Sequence, residues 1–126
     1  MKKVLENLTD VKLMVDTFYE HVKRDYLLGP IFADANLNWE EHLAILYRFW
    51  ETVLFMAGTY RGNPLKPHLE LDDEQPLNKE HFDRWLEVFK ENVDEYFIGE
   101  RAEAAKSRAE QIAKFMLEKI QAKTLK

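Results

Sequence analysis

Along most of this chain apolar residues recur at alternating steps of three and four, the period of a helix with one buried face. Val11, Met14, Phe18 and Val22 form the first such row and predict a helix from about Thr9 to Asp25, with Thr9 or Asp10 as its N-cap. Leu28-Gly29-Pro30 stops it, because glycine favours a left-handed turn and proline lacks an amide donor; Ile31 and Phe32 follow as a short apolar plug. Asn38 with Glu41 three residues later makes an Asn-started analogue of a capping box and opens a helix from Trp39 to about Met56, ended by Gly58. Its main row reads Trp39, His42, Leu46, Phe49, Val53 and Met56, so a histidine lies on an otherwise apolar face. Leu43, Trp50 and Leu54 widen the buried arc.

From Thr59 to Asn78 the periodicity disappears, and Gly62, Pro64, Pro67 and Pro76 punctuate the segment. So long a connection in a small domain is usually functional, and Leu65, Leu69 and Leu71 around His68 predict that it docks. Asn78 caps a further helix, Lys79 to about Phe97, with Phe82, Trp85, Phe89 and Val93 as its buried row and Gly99 beyond it. The last helix, about Glu100 to Ala122, shows Ala102, Ala105, Ala109, Ile112, Met116 and Ile120 at helical spacing; its alanines allow close approach to a neighbour. The expectation is an all-α chain with residues 1–126 forming one domain.

Composition narrows the chemistry. A chain of 126 residues buries roughly two-thirds of its unfolded surface without a disulfide or structural metal. Zero cysteines exclude thiolate zinc sites, iron-sulfur clusters and cysteine nucleophiles, leaving histidine and oxygen ligands. The 18 Lys+Arg against 23 Asp+Glu give a net charge of -5 with no basic block, which weighs against nucleic acid as a partner. The longest apolar stretches, 43–47 and 53–57, fall far short of the roughly 20 residues that span a bilayer. Neither a membrane nor a secretory route is expected, and a cytoplasmic location is.

Aromatic residues are abundant, 8 Phe, 5 Tyr and 3 Trp, and most sit on inward rows. In a plain bundle they would simply be core. With one histidine mid-row, His42, and one on a docked loop, His68, they also form the arrangement that a bundle-core cofactor with an axial ligand needs. The four histidines show no i, i+4 pairing for a zinc site. The residues three before them, Phe18, Trp39, Leu65 and Asn78, are not acidic, as a di-iron bundle would want. No nucleotide-binding glycine loop and no Gly-x-Ser-x-Gly elbow occurs. A haem fits the residues available, with a cofactor-free bundle open beside it.

Phe18-Tyr19, Leu28-Gly29-Pro30-Ile31-Phe32, Trp39-Glu40-Glu41-His42, Phe49-Trp50, Tyr60-Arg61-Gly62-Asn63-Pro64-Leu65, His68, and Phe82 through Trp85 to Phe89 follow one another at telling spacings. In order and spacing they resemble the truncated haemoglobins, specifically their third group, over about residues 11 to 120. The glycine pairs that other truncated groups carry around the proximal loop are missing. The resemblance implies a truncated globin fold, two helices stacked over two around haem b, with the first globin helix nearly absent. It implies that His68 is the proximal iron ligand, a neutral imidazole whose other ring nitrogen donates to a backbone carbonyl. It further implies cofactor contacts from Phe32, His42, Leu46, Phe49, Leu65, Phe82, Trp85, Phe89, Ile112 and Met116, and a ligand side built from Tyr19, His42 and Trp85. Many such globins place a cation one residue before Leu46; Ile45 stands there, so propionate anchoring falls to candidates such as His81, Arg84, Arg61 and Lys66. His21 reads as a surface residue.

The function so implied is a haem-b globin binding O2, NO or CO. Hydroxyl and indole donors favour slow release, hence ligand chemistry such as NO detoxification or peroxide reaction over bulk oxygen transport. Dioxygenase-like or peroxidase-like turnover would need an external reductase, because no flavin or nicotinamide motif is present. Carrier, sensor and scavenger roles stay open, as does the choice of monomer or weak dimer. The alternative from another class is a cofactor-free helical interaction module, dimerising through the alanine-rich last helix.

Overall fold

A computed structural model describes residues 2–34, 38–55 and 77–124, and among these it forms five helices. The first, α1 (Leu8–Arg24), starts at Asn7 rather than at Thr9 or Asp10. Asn7 has extended backbone, and its side chain accepts the Asp10 amide at 3.1 Å. Three cap-type residues stand close together here, and only the backbone turn decides among them. Asp10, freed from capping, is 2% exposed, accepts the Glu6 amide at 2.9 Å and pairs with Lys3 at 2.5 Å. Ahead of α1 the chain runs beside the end of a later helix, with Lys3 N–H donating to Tyr96 O (3.0 Å) and Ile98 N–H donating to Lys3 O (2.9 Å). Leu5 is thereby fully buried.

Helix α1 ends at Arg24, five residues before the Gly29-Pro30 pair expected to stop it. The Asp25 carboxylate accepts the amides of Leu27 and Leu28 at 3.1 and 3.0 Å, an Asx-type turn that bends the chain first. Gly29 and Pro30 open α2 (Gly29–Asp34) instead, and Ile31 and Phe32 are on a helical turn rather than in a plug. Gly29 is required at the crossing, since a Cβ there would lie 2.7 Å from the Lys23 carbonyl oxygen. Asn38 accepts the Glu41 amide at 3.2 Å at the head of α3 (Trp39–Phe55). Asn78 and His81 complete a capping box for α4 (Lys79–Tyr96): His81 N–H donates to Asn78 Oδ1 at 3.3 Å and Asn78 N–H to His81 Nδ1 at 3.1 Å. Gly99, at φ 109°, turns the chain into α5 (Glu100–Thr124).

Helix α1 packs on both α3 and α4, α4 packs along α5, and α3 meets α5, which makes two helices over two. Val11, Met14, Val15, Phe18 and Val22 face Trp50 of α3 and Val88, Phe89 and Val93 of α4 in one core. Ala102, Ala105 and Ala109 are at most 1% exposed, so the alanine row of α5 is used inside the chain. In α3, by contrast, only Trp50 is buried; Leu43, Leu46, Phe49 and Val53 are half-buried against the core. Asn92 ties α4 to α1 from within, its amide donating to Met14 O and Thr17 Oγ1 at 3.1 Å each. Among the described residues no helix is long and apolar enough to cross a membrane.

Two predictions arise from these turns. Gly29→Ala should destabilise the fold by about 1–3 kcal/mol, because a backbone carbonyl cannot give way as a side chain can; a urea midpoint equal to that of the parent would refute the close crossing. At Asp10 and Asp25 burial alone would raise the carboxyl pKa values. Lys3 with the Glu6 and Asn7 amides, and Arg84 with the Leu28 and Leu27 amides, outweigh it and hold both below the usual range. The fold therefore favours the charged forms, and the stability they contribute is present above the ordinary carboxylate value of about 3.9 and lost as pH falls below it toward the folded values. Asp10→Asn should be less stable at neutral pH and show a shallower acid decline, measured by urea unfolding across pH.

Candidate functional site: an aromatic face beside an apolar slot

The site begins with two neighbours on α1. Phe18 points into the core and meets Phe89 at 5.1 Å and Trp85 at 5.6 Å, both edge-on. Tyr19 is turned toward α2 and α3, edge-on to Phe32 (6.0 Å), Trp39 (5.7 Å) and His42 (5.7 Å). Trp39 and His42 also meet edge-on at 5.7 Å, one turn apart on α3. Tyr19 is 7% exposed, and burial pushes its hydroxyl well above the ordinary tyrosine value; the Trp85 indole N–H, donating to the same oxygen, offsets only part of this. The group stays a neutral O–H, with its oxygen engaged and its hydrogen able to donate.

Beside this face lies a narrow apolar slot with a cavity volume of about 50 Å³. Leu28, Ile31 and Phe32 wall it from the α2 side, Leu77, His81, Phe82 and Trp85 from α4, and Ile112, Ala113 and Met116 from α5. Ligand sites are mostly apolar, with a few polar groups that orient the occupant. Trp85 belongs to both the slot and the aromatic face, so the two are parts of one site. The half-buried row of α3 continues the apolar surface, with Phe49 and Val53 bordering a second hollow beside Ile112 and Met116. Residues of this kind fit a flat, apolar cofactor with polar donors along one face.

Tyr19 of α1 meets His42 of α3, Trp85 of α4 lies on the other side of Phe18, and Phe32, Phe82, Trp85, Ile112 and Met116 all line the slot. Leu46 and Phe49 are half-buried on α3. Phe89 lies a layer deeper, stacked on Trp50 (5.0 Å) and Trp85 (5.7 Å) and 1% exposed, so it backs the slot. His68 and Leu65 lie outside the described residues, as do Arg61 and Lys66. Of the other cations considered, Arg84 is engaged by Asp25 and Glu87, while His81 caps α4 and edges the slot. His21 is exposed and faces Glu95 at 3.7 Å; Ile45 is exposed.

Sequence reasoning missed Trp39, Leu28, Ile31, Leu77 and Ala113 as site residues. Trp39 had a readable signal, since it occupies the same helical row as His42, one turn earlier. Leu28 and Ile31 did not, because their direction depends on the turn at Asp25. Tyr47 adds a tie that was also unforeseen: its hydroxyl donates to Asp16 and fastens α3 to α1. Burial, reinforced by that carboxylate, pushes its pKa up to about 12.

Comparison with known proteins bears on the whole chain. A sequence model of the family described as bacterial-like globin matches residues 6–121. The chain is 36% identical over 117 residues to a group 3 truncated hemoglobin of Campylobacter jejuni, with 90% of each sequence covered. A crystal structure of a group III truncated hemoglobin from Campylobacter jejuni superposes with a TM-score of 0.83 at 34% identity, covering 95% of both chains.

Proposed function

Because this chain belongs to the bacterial-like globins, and among them to the group 3 truncated haemoglobins, a haem cofactor goes with it, and we propose that it binds O2, NO or CO on haem b held by His68. The carrying observation is the meeting of Tyr19, His42 and Trp85 from three helices at the edge of an apolar slot. Haem would supply an iron able to bind a diatomic ligand, with an imidazole of this chain holding it. The slot residues Phe32, Phe82, Ile112 and Met116 offer the apolar walls that exclude water from such a group. His68 is the imidazole proposed for the iron, with Leu65 three residues earlier in the sequence.

Tyr19 and Trp85 form a donor pair. Both meet the Phe18 ring edge-on, at 4.8 and 5.6 Å, which sets phenol and indole close together, and each carries a hydrogen that a ligand can accept. Burial keeps the phenol protonated and lowers the local dielectric, so each bond it makes is stronger than in water. His42, edge-on to Tyr19 and Trp39, borders the same space. A pocket so furnished releases ligand slowly, which favours reaction with NO or peroxide over delivery of oxygen, with electrons coming from a separate cytoplasmic reductase. The whole chain acts as one globin domain. The competing interaction module would have to dimerise through a face other than the alanine row, which α5 already buries against its own chain.

Absorption spectra of the purified protein in ferric, ferrous and CO-bound forms test the reading directly. An intense haem band is expected, and His68→Ala should abolish stable haem uptake. Colourless protein that hemin cannot reconstitute would support the module instead, and His68→Ala with an unchanged spectrum would remove His68 from the iron. Tyr19→Phe should keep its haem and release O2 roughly ten- to a hundredfold faster, the worth of one strong donor bond. A parent protein that already releases O2 as fast as a carrier globin would count against ligand chemistry.

A further inference from the structure

Asp25 sits where three elements of the site meet. It caps the end of α1, the helix that carries Tyr19, and its side chain is 3% exposed. Oδ2 accepts the amides of Leu27 and Leu28 at 3.1 and 3.0 Å, where the chain turns into α2. Oδ1 receives Nε and Nη2 of Arg84, both at 2.6 Å, from α4. Arg84 directly precedes Trp85, and Leu28, Ile31 and Phe32 wall the slot just beyond the turn. An exposed ion pair fixes little, because both long side chains remain free to reorient. A buried carboxylate with both oxygens engaged by charged and backbone donors holds its partners in one geometry.

We propose that Asp25 is a positioning residue for the Tyr19–Trp85 donor pair, setting the spacing of α1 against α4 through Arg84 and the path of the slot wall through Leu27 and Leu28. Phe18 meets both Tyr19 (4.8 Å) and Trp85 (5.6 Å) edge-on, so a small slide of α4 along α1 is enough to turn the indole away from the phenol while leaving the core packed. The inference rests on the proposed ligand role of that pair, though the alignment itself can be read without it.

The experiment is magnetic resonance of isotope-labelled tryptophan in the haem-loaded, CO-bound ferrous protein. The chain has 3 Trp and therefore three indole N–H signals, with that of Trp85 identified by its loss in Trp85→Phe. In Asp25→Asn and in Arg84→Met the Trp85 signal is expected to shift toward that of an unbonded indole and to exchange faster with water, while those of Trp39 and Trp50 hold their places. O2 release should quicken about tenfold in parallel. Arg84→Lys, which keeps the charge but not the paired nitrogens, should recover only part of the effect.

Arg84→Met leaves the Leu27 and Leu28 amides capped, so it decides the matter if Asp25→Asn does not fold. An unchanged Trp85 signal in Arg84→Met overturns the proposal, as does an equal movement of all three signals, which would mean general loosening. A parent protein that takes up no haem sinks the functional reading instead, and the indole signals of the haem-free chain then still report whether Asp25 aligns Trp85.

Discussion

Phe18 meets Trp85 and Phe89 edge-on, and the direction of Tyr19 follows from that contact. Successive residues on an α-helix point about 100° apart, so once Phe18 is fixed against α4, Tyr19 must look toward α2 and α3. There Phe32, Trp39 and His42 surround it, each ring perpendicular or nearly so to the phenol. Behind Phe18, the stack of Trp50, Phe89 and Trp85 makes a flat wall spanning α3 and α4. Aromatic pairs contribute about 0.5–1.5 kcal/mol beyond their buried area, and they do so only at particular angles. Aliphatic side chains of equal volume would fill the core without fixing where the hydroxyl points.

Several polar side chains behind the slot are held within the chain: Asp25 by Arg84, the Asn92 amide nitrogen by α1, and His81 by the Asn78 amide. Charge is held behind the walls, and a neutral phenol and indole are presented at the site. A buried ion would change its protonation or draw in water, whereas neutral donors keep their state as a neutral ligand arrives.

How much of this could be read in advance varies from element to element. The buried rows of α1, α4 and α5 were legible because helical period alone assigns faces, and Val11, Met14, Phe18, Phe89, Val93, Ala105 and Ala109 are all buried. The row on α3 was legible as a row but not in its depth: Trp50, placed at the flank, is the buried residue, and the main row is half-buried. Helix period cannot tell a face that meets another helix from one that borders a cavity. Cap residues misled where several stood close together, as at Asn7, Thr9 and Asp10, since composition does not reveal which backbone is extended. Asp25 shows the firmest limit. It read as the polar end of a helix, and nothing local announced that an arginine 59 positions later would reach it.

The segment before α1 has a bearing on how the chain is made. Lys3 is joined to Tyr96 and Ile98, Arg101 donates to the Leu5 carbonyl at 3.1 Å, and Asp10 grips Lys3 from the other side. These residues therefore wait for partners translated more than 90 positions afterwards. Until the α4–α5 corner has been made, the bonds of Lys3 and Leu5 to it cannot form. Closing so wide a loop comes late in folding, because its entropy must be lost before the contacts return anything. The seam between the amino-terminal segment and the α4–α5 corner is thus a lock set after the other helices have assembled.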